Sequence, residues 1–268
     1  MNYLQFNDRG KFEPEEQALA EYFGEGEYKG FYKKHFLRDR FQITKDDFIS
    51  GDIDVMFHAM KRLGIKYSYN DYPECLRPYL HRRIWESNLG EVRKRLFNDL
   101  GNEVELGLNW FIKPKDKLKK FTGFVLETID DLGNCRNAGN QTKLWCSEPV
   151  VFVSEFRCYL RKKWSGFQIS EGRVLTFGSF KKDYNQDDYI KVAEFVTKLP
   201  FEVTSNLPSA CALDFGILST GEVALIEMND AFSLGLYTAC NGTDESYKAN
   251  YCECLIQRWE ELKNGKID

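Results

Sequence analysis

Two nearly continuous apolar runs, 210–217 and 222–229, flank Ser219-Thr220-Gly221, and each carries an acid in its interior, Asp214 in the first and Glu227 in the second. Apolar runs of this length around a short glycine-containing turn read as a buried antiparallel strand pair. An unpaired carboxylate in such a place is costly, so the fold must supply these acids with partners. Glu227 and Asn229 are two residues apart and share a strand face. A two-residue turn at Thr220-Gly221 sets Asp214 directly opposite Glu227, whereas a three-residue loop offsets it by one. Three oxygen ligands, Asp214, Glu227 and Asn229, then converge, a set that suits a hard cation such as Mg²⁺ carrying substrate phosphates. The competing reading is a surface hairpin whose acids merely face water.

The rest of the composition limits what this hairpin belongs to. At 268 residues the chain has room for a substantial core in one or two domains. A hydrophobic content of 43% with 15% aromatics is that of a folded protein, not a disordered one. A formal net charge of −4 gives the surface no general attraction for nucleic acid or anionic membrane, so any anion site must be local. The N-terminal residues lack a basic segment followed by an apolar one, and no run approaches the roughly 18 apolar residues of a membrane helix. A cytoplasmic protein is expected. The eight cysteines include no Cys-x-x-Cys and most lie far from the three histidines, so buried reduced thiols are expected rather than a zinc site.

Periodicity outlines the elements. Thr44 followed by Asp47 reads as a helix start, 54–63 as a helix stopped by Gly64, and 79–97 as further helix. That last stretch carries the cluster His81-Arg82-Arg83 and Arg93-Lys94-Arg95, read as a solvated helix face with RNA contact as the alternative. Trp110-Phe111-Ile112-Lys113-Pro114 reads as a strand ended by proline, with 121–127 returning after a lysine-rich turn. In the strand expected over 150–160, alternation places Val151, Val153, Glu155 and Arg157 on one face. There the Arg157 fork is suited to a phosphate or an acceptor carboxylate, or else simply pairs with Glu155 on an exposed strand. Helices are expected over 188–199 and Asp244–Lys263.

Asp214-Phe215-Gly216 matches the metal-binding tripeptide of protein kinases, and Lys113 on a strand mimics the kinase lysine. Too little chain follows Gly216 for the remainder of a kinase domain, and neither a His-Arg-Asp loop just upstream nor a later Ala-Pro-Glu is present. Lys-x-Asp-Gly, the signature of lysine nucleotidyl transferases, is also missing.

Taken in order, Phe111-Ile112-Lys113-Pro114, Lys119-Lys120-Phe121-Thr122-Gly123, 148–155, Leu213-Asp214-Phe215-Gly216 and Leu225-Ile226-Glu227-Met228-Asn229 resemble the ATP-grasp superfamily. Within it they look most like the branch characterised by one arginine and two lysines, over roughly residues 50 to 240. The resemblance implies an α+β, two-lobed ATP-grasp fold over 99–268 with a hinge near 146–151, preceded by an N-terminal α/β domain over 1–98. It implies that Lys113 and Lys120, or Lys119 beside it, reach the ATP phosphates. Glu148, Pro149, Val150 and Val151 would hold adenine, Glu155 the ribose, and Asp214, Glu227 and Asn229 the Mg²⁺, with Arg157 and Lys120 in catalytic roles. Ser233-Leu234-Gly235-Leu236-Tyr237 falls where the family often has an acceptor loop. In one departure, Asp230-Ala231-Phe232 replaces the usual Pro-Gly after the metal asparagine, which bears on acceptor specificity.

The implied activity is ATP-dependent activation of an acceptor carboxylate as an acylphosphate, attack by an amine or other nucleophile, and release of ADP. The acceptor is an unknown small molecule, peptide or RNA end, with nucleic acid not favoured and no membrane partner. Modification of an RNA end or other phosphate acceptor, and a non-catalytic ATP-binding, chaperone-like module, are the alternatives.

Overall fold

The structure, a computed structural model, describes residues 1–68, 70–97, 108–115, 120–165, 168–240 and 243–265. It is an α+β protein, and backbone contacts divide it into two compact units, Met1–Tyr79 with Phe152–Asp268, and Leu80–Val151.

The chain begins with β1 (Asn2–Phe6), α1 (Pro14–Phe23), β2 (Tyr28–Tyr32), the single turn α2 (Lys33–Phe36), β3 (Phe48–Ser50) and α3 (Ile53–Leu63). The three strands form a parallel sheet in the order β2-β1-β3. Pro14 opens α1, where its missing N–H is no loss. Gly64, at φ 67°, ends α3 in the left-handed region that glycine enters freely. The helix start expected at Thr44 is instead a turn. Asp47 accepts from the Thr44 N–H and hydroxyl at 2.7 and 3.1 Å, and β3 follows at once.

The second unit holds β4 (Ile84–Asn88), α4 (Leu89–Leu96), β5 (Trp110–Pro114), β6 (Phe124–Leu126) and β7 (Lys143–Ser147), in an antiparallel sheet ordered β4-β7-β5-β6. Only the second half of the helix expected over 79–97 is helical. Residues Ile84–Asn88 pair with β7, and the Asn88 side chain caps α4 by accepting from the Glu91 N–H at 2.9 Å. Leu89, Val92 and Leu96 of α4 pack with Ile112, Leu126, Leu144 and Cys146 of the sheet to form this unit's core.

The chain then returns to the first unit as β8 (Phe152–Ser165), β9 (Gln168–Ser179), α5 (Gln186–Thr197), α6 (Phe201–Ser205), β10 (Ala210–Leu218), β11 (Val223–Asp230), β12 (Thr238–Ala239) and α7 (Asp244–Lys263). Its strands make an antiparallel sheet ordered β11-β10-β8-β9-β12. The expected strand over 150–160 thus begins two residues late and runs on past its expected end. Helix α7 buries Tyr247, Tyr251, Leu255, Trp259 and Leu262, the stripe its periodicity predicts. These side chains share one core with Leu4, Leu19, Ile49 and Met56 from the parallel-sheet region. The N-terminal sheet and the C-terminal helix are therefore stabilised together.

All eight cysteines are free, and only Cys75 and Cys240 are not fully buried. Burial pushes the Cys146 thiol up to about 12, which keeps it protonated and unreactive at neutral pH. No helix among the described residues is long and apolar enough to cross a membrane.

One buried charge in this core has a measurable consequence. Glu16 of α1 is 8% exposed and accepts from Ser50 Oγ at 3.2 Å. Burial, then repulsion from Glu15, pushes its carboxyl from 4.5 to about 7. Between those values the folded state holds a proton that the unfolded chain has released, so stability falls as pH rises through this window and stays lower above it. Glu16→Gln is expected to stabilise the protein at pH 8, by on the order of 3 kcal/mol at most, and to have little effect at pH 4. Thermal melts of both proteins at the two pH values check this; an equal offset at both would contradict it.

Candidate functional site

The hairpin that dominates the sequence lies at one side of the antiparallel sheet, with β10 between β11 and β8. The Leu218 N–H donates to the Glu222 carbonyl at 2.8 Å, so the loop is the three residues Ser219-Thr220-Gly221. Gly221, at φ 88°, takes the backbone conformation such loops require. That loop by itself would set Asp214 against Ile226. A β-bulge between Asp214 and Phe215 absorbs one residue and restores Asp214 opposite Glu227. The expected pairing is present, reached through a longer loop and a compensating bulge.

On its other side β10 pairs with β8, which places Arg157 directly across from Asp214. Arg157 Nε and Nη2 donate to Asp214 Oδ1 and Oδ2 at 2.8 and 2.7 Å, a bidentate fork between side chains that are both almost wholly buried. Asn229 Nδ2 donates to Asp214 Oδ2 at 2.9 Å and to Glu227 Oε1 at 3.0 Å. The amide thus bridges two carboxylates, one buried and one partly exposed. Burial alone would pull the Arg157 pKa down, but the charge of Asp214 and its hydrogen bonds outweigh that and hold it well above the ordinary value. The exposed-strand pairing of Arg157 with Glu155 does not form: the carboxylate that Arg157 grips is Asp214.

Glu155 stands two residues before Arg157 on the same face of β8. Although it is an exposed residue, crowding by neighbouring protein atoms, then the negative charges of Asp214 and Glu227, push its carboxyl up against the opposing influence of Arg157. The group senses the acidic pair electrostatically.

Two tyrosines join the site: Tyr159, which sequence reasoning does not select, and Tyr237, which closes the segment expected as an acceptor loop. The Arg157 guanidinium lies over the Tyr237 ring, 4.1 Å from its centroid. Tyr159 donates to the Gly235 carbonyl at 2.6 Å and accepts from the Tyr237 N–H at 3.0 Å. The period-two count that selects Glu155 and Arg157 reaches Tyr159 at its next step, and that is the signal by which it could be found.

The other sequence-predicted residues belong to the unit Leu80–Val151. Lys113 is half-buried on β5 opposite Trp145. Lys120 is exposed, its Nζ 3.4 Å from Thr142 Oγ1, and Lys119 lies outside the described residues. Glu148 accepts from the Arg83 N–H at 3.0 Å, Pro149 and Val150 are half-buried, and Val151 is exposed. Within the basic cluster, Arg83 stacks over Trp85 and Arg95 over Trp110, at 5.0 and 5.2 Å from the ring centroids. Arg93 donates to Asn140 Oδ1. These cations have partners inside their own unit.

Two carboxylates held close by one amide nitrogen are a donor set that a hard divalent cation completes, since Mg²⁺ takes one or two carboxylates and fills its remaining positions with phosphate oxygens and water. No group of three or more His, Cys, Asp and Glu among the described residues is arranged as a metal cluster. The candidate set therefore depends on Asn229 and on oxygens brought by a ligand.

The sequence model of one family matches residues 79–244; it describes an ATP-grasp domain, family 2 of the clade characterised by one arginine and two lysines. No curated protein sequence matches the chain. Among solved structures, the chain is similar to N5-carboxyaminoimidazole ribonucleotide synthetase from Thermotoga maritima, with 14% identity over 77% of this chain and 48% of that one and a TM-score of 0.38. It thus spans about half the length of that relative. It is also similar to N5-carboxyaminoimidazole synthetase from Staphylococcus aureus, at 9% identity over 100% and 78% of the two chains with a TM-score of 0.49. D-alanine–D-alanine ligase from Bacillus anthracis matches at 11% identity over 98% of both chains with a TM-score of 0.45.

Proposed function

The chain belongs to the ATP-grasp domain family, in family 2 of the clade characterised by one arginine and two lysines, and from that membership we propose that it is an ATP- and Mg²⁺-dependent ligase. It transfers the γ-phosphoryl group of ATP to the oxygen of an acceptor carboxylate, releasing ADP. An amine or other nucleophile then attacks the acylphosphate carbon and displaces phosphate. The observation that carries this reading is the convergence of Asp214, Glu227 and Asn229 on one sheet face, locked by the bidentate Arg157 fork.

In this proposal the ATP-grasp region covers 99–268 after an N-terminal α/β domain over 1–98, and the chain passes between lobes near 146–151. Glu227, Asn229 and Asp214 would hold Mg²⁺, whose charge would offset that of the triphosphate. Lys113 and Lys120 neutralise phosphate oxygens, Glu148 to Val151 hold the adenine, and Glu155 binds the ribose hydroxyls. With both nitrogens of its fork on Asp214, Arg157 acts first by fixing that carboxylate. Its Nη1 reaches only the Gly235 carbonyl, at 3.4 Å, and is the donor left to meet an acceptor.

Glu227→Gln keeps the shape of the side chain and removes the charge of the more exposed acid. It is expected to lower Mg²⁺-dependent ATP turnover by at least about 100-fold while the thermal midpoint stays close to wild type. Turnover can be followed as acceptor-stimulated ADP release with amino acids, peptides and RNA ends. Undiminished turnover in the variant would contradict the metal assignment. Tight ATP binding by the wild type with no ADP formed for any acceptor would favour a binding module instead.

A further inference from the structure

The backbone of Tyr237 is gripped on both sides by tyrosine hydroxyls. Its N–H donates to Tyr159 Oη at 3.0 Å, and its carbonyl accepts from Tyr247 Oη of α7 at 2.8 Å. Thr238 and Ala239, which follow, form β12 and pair with Ser179 and Gly178 of β9. Tyr159 in turn donates to the Gly235 carbonyl at 2.6 Å, so the segment before Tyr237 is fixed as well. The Tyr159 and Tyr247 rings meet edge to face with centroids 5.7 Å apart. Tyr247 is 1% exposed, so the bond its hydroxyl makes is shielded from water. A Cβ built on Gly178 would lie 2.2 Å from Tyr247 Oη and 2.9 Å from Tyr237 Cβ, closer than real side chains approach. Only glycine lets β9 pass here, and β9 thereby closes in on the same hydroxyl from the sheet side.

Where the Tyr237 backbone sits decides where its ring sits. The ring carries the Arg157 guanidinium, 4.1 Å from its centroid. Phe180 also meets the ring, at 5.8 Å, but is 75% exposed and so is a weak wall. The ring limits how the guanidinium can tilt, and that tilt decides whether Nε and Nη2 reach both oxygens of Asp214. Asn229 Nδ2 shares Asp214 Oδ2 and also reaches Glu227 Oε1, so a shift of the buried carboxylate is passed to both.

We propose that Tyr247 is a positioning residue for the candidate metal set: its hydroxyl holds the Tyr237 carbonyl and, through the Tyr237 ring, keeps the Arg157 fork aligned on Asp214. The consequence for Mg²⁺ rests on the ligase reading; the alignment of Arg157 does not. Tyr247 is buried and acts only through its neighbours. Tyr251, one turn further along α7, is the matched comparison. It is equally buried and donates to a carbonyl of the same segment, that of Leu234, at 2.7 Å, but not to Tyr237. Tyr247→Phe and Tyr251→Phe each remove one buried hydroxyl from one helix, so a merely structural role would make the two variants behave alike.

The test follows the Arg157 Nε–H by NMR in the nucleotide-free full chain, its signal identified by its loss in Arg157→Lys, and then measures ATP binding with and without Mg²⁺. In Tyr247→Phe this N–H is expected to change its ring-current shift and to exchange with water at least about tenfold faster. The advantage that Mg²⁺ gives to ATP binding is expected to fall at least about threefold. Gly178→Ala, which crowds the same hydroxyl from β9, is expected to act in the same direction, and Tyr251→Phe to leave the signal, its exchange and the Mg²⁺ advantage near wild type. An Arg157 signal unmoved in Tyr247→Phe, one moved equally by Tyr251→Phe, or a wild-type Mg²⁺ advantage left whole in Tyr247→Phe overturns the proposal. A signal moved by Tyr247→Phe alone, in a protein whose wild type gains nothing from Mg²⁺, keeps the alignment of Arg157 and removes the ligase reading. A clear Mg²⁺ advantage in the wild type with the signal unmoved in Tyr247→Phe does the reverse.

Discussion

Asp214→Ala is expected to destabilise the protein by about 3–5 kcal/mol, a loss larger than its effect on ligand binding would suggest. The reason lies in its partner. Arg157 is 8% exposed and directs two nitrogens at the Asp214 oxygens, so removing the carboxylate leaves a desolvated guanidinium without its counter-charge. Its remaining contacts, the Gly235 carbonyl at 3.4 Å and the Tyr237 ring, do not replace a bidentate ion pair. Replacing both partners with apolar side chains, Arg157→Met with Asp214→Leu, should recover most of the loss, because the penalty belongs to the stranded charge and not to the missing pair. Urea unfolding of the two proteins distinguishes these cases. A double variant no more stable than Asp214→Ala would mean that the pair itself, not the desolvated charge, holds the strands. Asp214 is for this reason a poor probe of metal binding, and Glu227 a better one.

Trp259→Ala is expected to cost about 3–5 kcal/mol. Trp259 is fully buried on α7, in the same core as Leu4, Leu19, Ile49 and Met56. Its Nε1 donates to the Asp47 carbonyl at 2.8 Å, while Asp47 Oδ1 takes the N-terminal ammonium at 2.9 Å. Truncation empties a large volume and also leaves the Asp47 carbonyl with only the longer donation from Lys263 Nζ, at 3.4 Å. Amide exchange is the informative readout. Protection should fall together in β1, β3 and α7, since these elements share one core; loss confined to α7 would show that the parallel sheet is stable on its own.

Much of the site was legible because it depends on short-range patterns. Period two put Glu227 with Asn229 and Glu155 with Arg157, and the apolar runs located β10 and β11 to within a residue or two. The bulge at Asp214 was not legible, since nothing in the sequence marks where an antiparallel pair absorbs an extra residue. Nor was the Arg157–Asp214 pair, which depends on β8 lying beside β10 across more than fifty residues. Ile84–Asn88 passed for helix because its strand character comes from pairing with Lys143–Ser147, a distant partner that overrides local preference. The burial of Glu16 against Ser50 was hidden for the same reason, since the two come from segments that only the folded chain brings together.

Whether Glu227 and its neighbours meet nucleotide through Mg²⁺ is tested most directly by equilibrium binding of ATP, measured with and without Mg²⁺ for wild type and for Glu227→Gln. Mg²⁺ is expected to tighten ATP binding at least about tenfold in the wild type, and the variant to lose this advantage while its Mg²⁺-free affinity stays near wild type. An equal Mg²⁺ advantage in both proteins would contradict the assignment.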